Sequence, residues 1–367
     1  MSKKPGFSGE RVPFSEAFAD VSRGVKKYKQ KEYAEEGAHP IIDQGQEEIA
    51  GYSDEEEGLF TNVPAIVFGD HTRCVKYVER PFFAGADGVK ILKPKMHGNP
   101  KYWWHALKAT PIEDLGYSRH FKLLKAATFT AGDDTWQSEV VSRLDSILNQ
   151  IAQAEKQIEE LDSLVKSRFS EMFEANMSDG FVSLKECCSK IRGGKTPSMK
   201  HPEYYGGDIP FVKSGDIKQD RVSGGTLTLT PEAISGAGVK LIPKDSILVV
   251  TRSALLHRKM HSSINVREIA INQDIKAFIP LPDYLPSYLL WAIRSHEKEL
   301  LAGVRSVSTC ALDFQQLCSL RVKDVSLQKQ NEFSDFASQV DKSRGIAQQQ
   351  IEKLQTLYDS LAQEYFS

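Results

Sequence analysis

Two long stretches of the chain space their apolar residues as a helix does when one of its sides packs along a partner. In the first stretch, apolar side chains recur at alternating intervals of three and four residues from Val140 to Met172. The corresponding positions of the second stretch run from Phe333 to Tyr365. A period of about 3.5 residues, kept over about five heptads, predicts a coiled-coil seam in each stretch. The predicted seam consists of Leu144, Ile147, Ile151, Ile158, Leu161, Val165, Val340, Ile351, Leu354 and Tyr358.

Arginine interrupts this pattern once in each stretch, at Arg168 and at Arg344. Neither stretch contains a proline, and only Gly345 weakens the helix propensity. Each stretch is therefore predicted to form one helix roughly 55 Å long, at a rise of about 1.5 Å per residue. Two helices of an ordinary bundle would show the same pattern, so the periodicity alone does not decide the architecture.

The two helical stretches are copies of one another. Gln137-Ser-Glu139 recurs as Gln330-Asn-Glu332, and Gln157-Ile-Glu-Glu-Leu161 recurs as Gln350-Ile-Glu-Lys-Leu354. Both pairs are separated by the same offset of 193 residues. A match without gaps at one constant offset indicates an internal duplication.

The globular segment that precedes each helix is duplicated as well. Pro40-Ile-Ile-Asp-Gln-Gly45 parallels Pro210-Phe-Val-Lys-Ser-Gly215 at an offset of 170 residues, and Ala65-Ile-Val-Phe68 parallels Ser246-Ile-Leu-Val249 at an offset of 181. Further matches share an offset of 186, so the offset grows as it should when loops differ in length between two copies of one fold. The predicted order is a globular domain at residues 1–134, a central helix at 135–175, a second globular domain at 176–326 and a C-terminal helix at 327–367.

Each globular segment alternates short β-rich runs with turn residues. The predicted strands are 65–68, 75–78 and 89–92 in the first copy, and 209–213, 226–230, 246–251 and 275–279 in the second. One helix is predicted near 100–109 and another, in one piece, at 286–301 with Ser287 as its N-cap. These patterns predict an α+β fold in which two similar domains are separated and followed by long helices.

The composition narrows the class of protein. The chain is 40% hydrophobic and 26% charged, which is ordinary for a globular protein. Its N-terminus lacks the apolar core of a secretory signal, and its apolar runs are too short to span a bilayer. The protein is therefore expected to be soluble and cytoplasmic, without a membrane partner. Five cysteines at irregular spacing indicate reduced thiols, and no metal or other cofactor is expected.

The charge balance gives only a weak sign of a nucleic-acid partner. The net charge of the whole chain is −2. Residues 180–324, in contrast, carry 20 lysines and arginines against 14 aspartates and glutamates. A surplus of this size also occurs in domains that bind no DNA.

Two motifs resemble enzyme signatures but lack residues that those signatures require. Asn99-Pro-Lys-Tyr102 is similar to the Asn/Asp-Pro-Pro-aromatic motif of amino-methyltransferases, but its repeat counterpart, Leu285-Pro-Ser-Tyr288, lacks the asparagine. We therefore interpret it as a helix start. Gly194-Lys-Thr196 resembles the end of a nucleotide-binding loop, but Ser189 stands where that loop needs glycine, and Pro197 disturbs the helix start.

A metal-dependent nuclease is a weaker hypothesis for the function of the chain. Asp245, with Asp274 and Lys276, loosely fits two carboxylates and a lysine around a divalent ion. The first copy does not keep these carboxylates. His71 and Cys74 could also contact a metal ion, but two ligands do not make a site.

Polar clusters after the buried-looking strands are better candidates for DNA contacts. Arginine suits guanine edges and glutamine suits adenine, while lysine, serine and threonine suit phosphates. The clusters recur at matched places in the two copies, which favours a shared role over plain solvation. The candidate DNA-binding residues are Gln44, Gln46, His71, Thr72, Arg73, Lys195, Thr196, Lys213, Ser214, Lys218, Arg252, Ser253, Arg258 and Lys259.

Several of these motifs together resemble a known family. Gly193-Gly-Lys-Thr-Pro197 and Tyr205-Gly-Gly-Asp-Ile-Pro-Phe-Val-Lys-Ser-Gly-Asp-Ile217 are similar to the target-recognition domain of type I restriction-modification specificity subunits. In the first copy, His39-Pro-Ile-Ile-Asp-Gln-Gly45, Val67-Phe-Gly-Asp-His-Thr-Arg73 and Ala84-Gly-Ala-Asp-Gly-Val-Lys90 resemble the same family. The two helices fall where that family has its central and distal helices, so the resemblance covers nearly the whole chain.

The resemblance implies a non-catalytic subunit that reads double-stranded DNA. In that family, each domain reads one half of a split, asymmetric site, and the antiparallel coiled coil of the two helices sets the spacing between the halves. Two methyltransferase subunits and the translocating restriction subunits are the implied partners. Two alternatives stay open at this point: a stand-alone nuclease, and an antirestriction decoy that binds the methyltransferase without reading DNA.

Overall fold

The two copies of the repeat fold into two compact units, which a computed structural model describes at residues 9–116, 118–174, 180–257, 259–306 and 310–366. The first unit comprises Met1–Lys156 with Ala347–Ser367, and the second comprises Gln157–Ile346. Both mix helices with small sheets, so the predicted α+β class is confirmed. Within the described ranges, no helix combines the length and the apolar character needed to span a membrane.

The first half of the chain supplies the sheets of the first unit. Its strands are β1 (Glu10–Pro13), β2 (Phe18–Asp20), β3 (Lys27–Tyr28), β4 (His39–Ile42), β5 (Gly51–Ser53), β6 (Ala65–Gly69), β7 (Val75–Val78), β8 (Phe83–Gly85), β9 (Val89–Pro94) and β10 (Thr128–Ala131). Its helices are α1 (Phe14–Ala17), α2 (Pro100–Ala109), α3 (Phe121–Ala126) and the long α4 (Asp134–Phe173).

The second half supplies the sheets of the second unit. Its strands are β11 (Phe181–Ser183), β12 (Cys188–Gly193), β13 (Tyr205–Val212), β14 (Arg221–Val222), β15 (Leu227–Leu229), β16 (Leu241–Ile242), β17 (Ile247–Val250), β18 (Ser262–Asn265), β19 (Ile269–Ile271), β20 (Ile275–Pro280), β21 (Arg305–Ser306), β22 (Cys310–Ala311) and β23 (Arg321–Lys323). Its helices are α5 (Pro231–Ala237), α6 (Pro286–Ser295), α7 (Glu297–Ala302), α8 (Phe314–Cys318) and the long α9 (Leu327–Phe366).

The two units build similar sheets from equivalent central strands. In the first, the antiparallel sheet β2-β9-β6-β7 is accompanied by the mixed sheet β3-β8-β4-β5. The corresponding sheets of the second unit are β12-β20-β17-β18-β14 and β15-β13-β19-β16. They differ at their edges, because β14 adds a strand parallel to β18, and β16 pairs antiparallel with β19 where β3 pairs parallel with β8. The parallel pair at the centre of the mixed sheet is equivalent in both, with Ile42 beside Ala84 and Val212 beside Ile271. The sequence repeat thus corresponds to a repeat of the central strand pairs.

Alternation of apolar residues explains why the central strands bury both faces. On β6, Ile66 and Phe68 join a cluster under α2, while Val67 joins a second cluster between the sheets. Trp103 of α2 is fully buried and packs edge-on against Phe18, with ring centroids 5.8 Å apart. Replacing such a buried aromatic residue by alanine costs about 3–5 kcal/mol.

The long helices pair antiparallel within each unit. In the first unit, the start of α4 meets the end of α9, where Trp136 packs edge-on against Tyr365 at 5.5 Å. In the second unit, the end of α4 meets the start of α9, where Phe173 packs against Phe333 at 5.7 Å. Of the residues predicted for the seam, the buried ones are Leu144, Ile147, Ile151, Val165, Val340 and Tyr358. The half-buried ones are Ile158, Leu161, Ile351 and Leu354.

A buried glutamine at the start of each long helix accounts for the first motif of the repeat. The Gln137 side-chain oxygen accepts a hydrogen bond from the Asn99 N–H at 2.9 Å, and its amide donates to the Gly132 carbonyl at 2.8 Å. The Gln330 oxygen accepts from the Leu285 N–H at 2.8 Å in the same way. Each glutamine satisfies a backbone donor at the start of α2 or α6 that burial would otherwise leave unpaired.

The prediction of one helix over residues 286–301 is wrong. The structure has α6 and α7 instead, with a break at His296. The Ser295 hydroxyl donates to the Ala292 carbonyl at 3.0 Å, and the His296 ring nitrogen Nδ1 lies 2.9 Å from the same oxygen. These side chains compete with the helical backbone hydrogen bond to that carbonyl, and the His296 N–H bonds to Ile293 instead. Ser287 is not the N-cap, because Leu285 holds that position.

Candidate nucleic-acid interface

Three segments of the first unit meet at one edge of its two sheets. They follow β4, β6 and β8, and two of them hold residues predicted from the sequence. The Gln44 side-chain oxygen accepts a hydrogen bond from the His71 N–H at 3.1 Å, and the Thr72 hydroxyl donates to the Gln44 carbonyl. The Asp70 N–H donates to the Gly88 carbonyl at 2.7 Å. The loops after β4 and β6 are therefore in direct contact.

Gly88 allows this close approach. Its φ is +73°, a conformation that residues with a side chain rarely adopt. A Cβ atom at this position would lie 2.7 Å from the Gln44 side-chain oxygen and 2.8 Å from the His71 ring. The turn between β8 and β9 therefore needs glycine where Gln44 and His71 meet.

Arg73 is anchored within the unit. One guanidinium nitrogen donates to the Asp114 carboxylate at 2.6 Å, and the other donates to the Ile112 carbonyl at 3.1 Å. The Gly116 N–H and then the Arg73 charge hold the pKa of Asp114 below its usual range. A base edge or a phosphate would have to compete with Asp114 for this guanidinium. The sequence did not reveal that Arg73 pairs with Asp114.

A fourth segment, residues 114–116 and 118–122, completes the edge and was missed from the sequence. The Asp70 carboxylate accepts a hydrogen bond from the Phe121 N–H at 2.7 Å, and the His71 ring lies 3.1 Å from the Ser118 carbonyl. The exposed basic side chains Arg119 and Lys122 lie on this segment. The 193-residue offset between Phe121 and Phe314 is the signal that would have found it.

The exposed residues of the first edge are those best placed to contact a ligand. Gln46 and Thr72 are exposed, whereas Gln44, His71 and Arg73 are half-buried. We therefore expect Gln46 and Thr72 to reach furthest from the edge.

The second unit builds its edge in the same way. The Thr251 N–H donates to the Asp274 carbonyl at 2.8 Å, which is the counterpart of the bond from Asp70 to Gly88. The Lys195 N–H donates to the Ile271 carbonyl at 3.0 Å, and the Thr196 hydroxyl donates to the Gln273 side chain at 2.6 Å. The segments after β12, β17 and β19 therefore meet at one edge.

Gly194 lies directly against the backbone of β19. A Cβ atom there would collide with the carbonyl oxygens of Ile271 and Asn272. No helix begins directly after Thr196, because the next element along the chain is a 3-10 turn at Pro202–Tyr204. This segment therefore lacks the helix N-terminus that a nucleotide-binding loop uses.

The other predicted residues that the structure describes in the second unit lie on the loops after β13 and after β17. The Lys213 N–H donates to the Asp216 carboxylate at 2.8 Å in a tight turn. Arg252 is exposed and forms an isolated antiparallel bridge with Ala311. Lys218, Lys259, Lys195 and Thr196 are exposed, while Lys213, Ser214 and Ser253 are half-buried. Arg258 lies outside the described residues.

Asn272 is a buried polar residue that sequence reasoning missed. It is 6% exposed, and its side-chain amide donates to the Asp274 carboxylate at 2.9 Å. Its own N–H donates to the Val212 carbonyl at 3.0 Å, so it joins the loop after β13 to the turn before β20. The run of Asn272, Gln273 and Asp274 between two apolar strands is the turn signal that marks this position.

The geometry opposes a nuclease centre. Asp245 precedes β17, and its N–H bonds to the Asn265 carbonyl, whereas Asp274 bonds to Thr251 beyond the other end of that strand. At about 3.3 Å per residue, the two carboxylates are roughly 20 Å apart. In the described residues, no group of three or more histidine, cysteine, aspartate or glutamate side chains could hold a metal ion.

Two other sequence motifs have structural explanations. Asn99 is the N-cap of α2, and its side chain accepts a hydrogen bond from the Lys101 N–H at 2.9 Å. Burial raises the pKa of Cys74, which keeps its thiol protonated and unsuited to a metal.

Comparisons with known proteins agree with this architecture. The family model of the type I restriction modification DNA specificity domain matches residues 180–356. The chain is 25% identical over 334 residues to the specificity subunit of the type I restriction enzyme EcoR124I/EcoR124II of Escherichia coli, covering 85% of this chain and 82% of that protein. It is 27% identical over 142 residues to the MjaIX specificity subunit of Methanocaldococcus jannaschii, covering 38% of this chain and 31% of that protein.

A solved structure shares the fold over the whole chain. The S subunit of the type I restriction-modification system from M. genitalium superposes with a TM-score of 0.52 at 14% identity, covering 100% of this chain and 98% of that one. At this level of identity the likeness concerns the fold alone.

Proposed function

We propose that this chain reads a bipartite and asymmetric site in double-stranded DNA. It belongs to the specificity subunits of type I restriction-modification systems, which are the non-catalytic DNA-recognition components of those systems. Each unit would read one half of the site. The observation that carries the proposal is the edge that recurs in both units. The bond from Asp70 to Gly88 in the first unit and that from Thr251 to Asp274 in the second hold equivalent loops in equivalent places.

The side chains presented at the two edges differ. The first edge carries Gln46, His71 and Thr72, whereas the second carries Lys195 and Arg252. Glutamine and arginine hydrogen-bond to different base edges in the major groove. Two half-sites of different sequence are therefore expected.

The helix pair supports the proposed binding of methyltransferase and restriction subunits. Leu164 on α4 and Leu357 on α9 are 48% and 46% exposed, and the 193-residue offset relates them. Exposed leucines at equivalent places on two helices favour two copies of one partner, so we infer one methyltransferase subunit per leucine. Restriction subunits would join that assembly.

Methylome sequencing tests the DNA-reading function. Cells that carry this chain with its methyltransferase should show methylation at one bipartite motif, which disappears when the chain is deleted. Methyltransferase binding without any methylated motif would instead support the decoy, and metal-dependent cutting by the isolated chain would support the nuclease.

Deleting residues 152–158 of α4 together with 347–353 of α9 should change the spacer and leave both half-sites intact. Altered half-sites would contradict the role of the helix pair as a ruler.

Leucine variants test the scaffold. Leu164→Asp and Leu357→Asp should each reduce the bound methyltransferase from two copies to one, as measured by native mass spectrometry. Ser163→Asp and Thr356→Asp are the matched controls, because each lies about 100° around its helix from the leucine. Equal loss in the serine and threonine variants would mean that the leucines are not the docking points.

A further inference from the structure

A lysine occupies the same position beside the candidate interface in both units. Lys90 lies on β9 opposite Phe68 of β6, and Lys276 lies on β20 opposite Val249 of β17. The two lysines are related by the 186-residue offset of the repeat. Neither belongs to the polar loops that pointed to DNA, because both lie within strands.

The ammonium group of each lysine lies over a phenylalanine ring. Lys90 Nζ is 5.0 Å from the ring centroid of Phe121, and Lys276 Nζ is 5.6 Å from that of Phe314. The two rings are also equivalent in the repeat, at an offset of 193. An aromatic face attracts and orients a cation, but it carries no charge that could neutralise it.

The charge of these lysines has little compensation from carboxylates. Lys276 forms no ion pair with any residue in the described part of the chain, and the carboxylate paired with Lys90, that of Asp20, lies at 4.0 Å. Both lysines are half-buried. A Cβ atom at Gly193 would lie 2.8 Å from Lys276 Nζ, so glycine at that place leaves room for the ammonium.

From this arrangement, and resting on the proposed reading of DNA, we infer that Lys90 and Lys276 each bind one backbone phosphate of the half-site at their own domain. An ammonium is a compact charge with three donors, which suits phosphate oxygens and does not distinguish bases. The lysines would fix the position of the duplex, and the loops two residues away would read its sequence. The phenylalanine rings orient both ammonium groups but do not neutralise their charge.

Salt dependence of DNA binding tests the inference. The full chain in complex with its methyltransferase is titrated with a duplex carrying the methylated motif and with a random duplex of equal length, between about 50 and 200 mM salt. Each phosphate contact contributes about 0.9 to the slope of log affinity against log salt concentration. Lys90→Gln and Lys276→Gln should each lower the slope by that amount for both duplexes. The affinity at about 50 mM salt divided by the affinity at about 200 mM salt should therefore be about 3.5-fold smaller for each lysine that is replaced.

Matched variants separate the outcomes. Lys90→Arg and Lys276→Arg should restore the slope, and Lys353→Gln, an exposed lysine on α9, should leave it unchanged. An unchanged slope in both glutamine variants, while the wild-type complex still selects its motif, would overturn the phosphate contacts and leave the proposed function standing. A wild-type complex that binds both duplexes equally would overturn the proposed function, and the slopes on the random duplex would still decide the role of the lysines.

Discussion

Arg344, which breaks the apolar pattern of α9, is predicted to lock the second recognition domain onto the helices of its unit. Its guanidinium contacts three carboxylates: Asp220 at 2.6 Å, Asp341 at 2.8 Å, and Asp162 of α4. Arg294 of α6 also contacts Asp220, at 2.7 Å. Replacing Arg344 by methionine keeps the aliphatic volume and leaves one guanidinium for three carboxylates.

The burial of these side chains determines the expected magnitude. The side chains of Arg344 and Asp220 are each 19% exposed, and removing one partner of a buried pair costs about 3–5 kcal/mol. Asp162 and Asp341 are 41% and 34% exposed, so water screens part of the effect. We therefore expect Arg344→Met to lower the free energy of unfolding by about 2–3 kcal/mol at pH 7.

The cost should shrink in acid. Burial, and then the neighbouring Asp220, raise the pKa of Asp341 to about 6. A carboxyl group with a raised pKa in the folded state favours folding at low pH, and that contribution is lost as the pH rises through about 6. Protonation of Asp341 removes one of the charges that Arg344 compensates. The variant should therefore regain part of its stability at pH 5.

Urea unfolding of the full chain, followed by circular dichroism, measures the effect. With an m-value of about 2–3 kcal/mol per molar, the midpoint of the second unit should fall by about 1 M. Hydrogen exchange should show the loss in α6 and α9. Combining Arg344→Met with Asp220→Asn should recover part of the loss, because fewer carboxylates then stay uncompensated. Equal midpoints for the wild type and Arg344→Met would refute this account of the cluster.

Two further predictions concern the first unit and the second edge. Burial lowers the pKa of His105 to about 4 from the ordinary value of 6.5, so the first unit should be fully stable above pH 6.5 and lose about 3 kcal/mol as the pH falls through 4. His105→Gln should abolish this pH dependence of the unfolding midpoint, and a slope equal to that of the wild type would contradict it. Gly194→Ala should push the 193–196 segment away from Ile271 and reduce motif-specific methylation at least tenfold, with helical content unchanged. Normal methylation by Gly194→Ala would show that this close approach is not needed.

The periodic and duplicated features were available from the sequence, because both are local. The 3.5-residue apolar period of α4 and α9 predicted helices that the structure contains, and the constant offset between Gln137 and Gln330 marked equivalent helix starts. The loops after β6 and β17 were placed by the same matching. The motif at Asn99, which does not recur in the second copy, was predicted to start a helix, and Asn99 is the N-cap of α2.

Contacts between segments distant along the chain could be decided only by the tertiary structure. Three such features depend on how strands and helices pair. They are the ion pair of Arg73 with Asp114, the distance between Asp245 and Asp274, and the ion pairs of Arg344. No period or motif encodes them, because a side chain's partner is set by which elements pack together. The sequence by itself determined the repeat and its long helices, whereas folding determined which polar groups at each edge are already bonded within the protein.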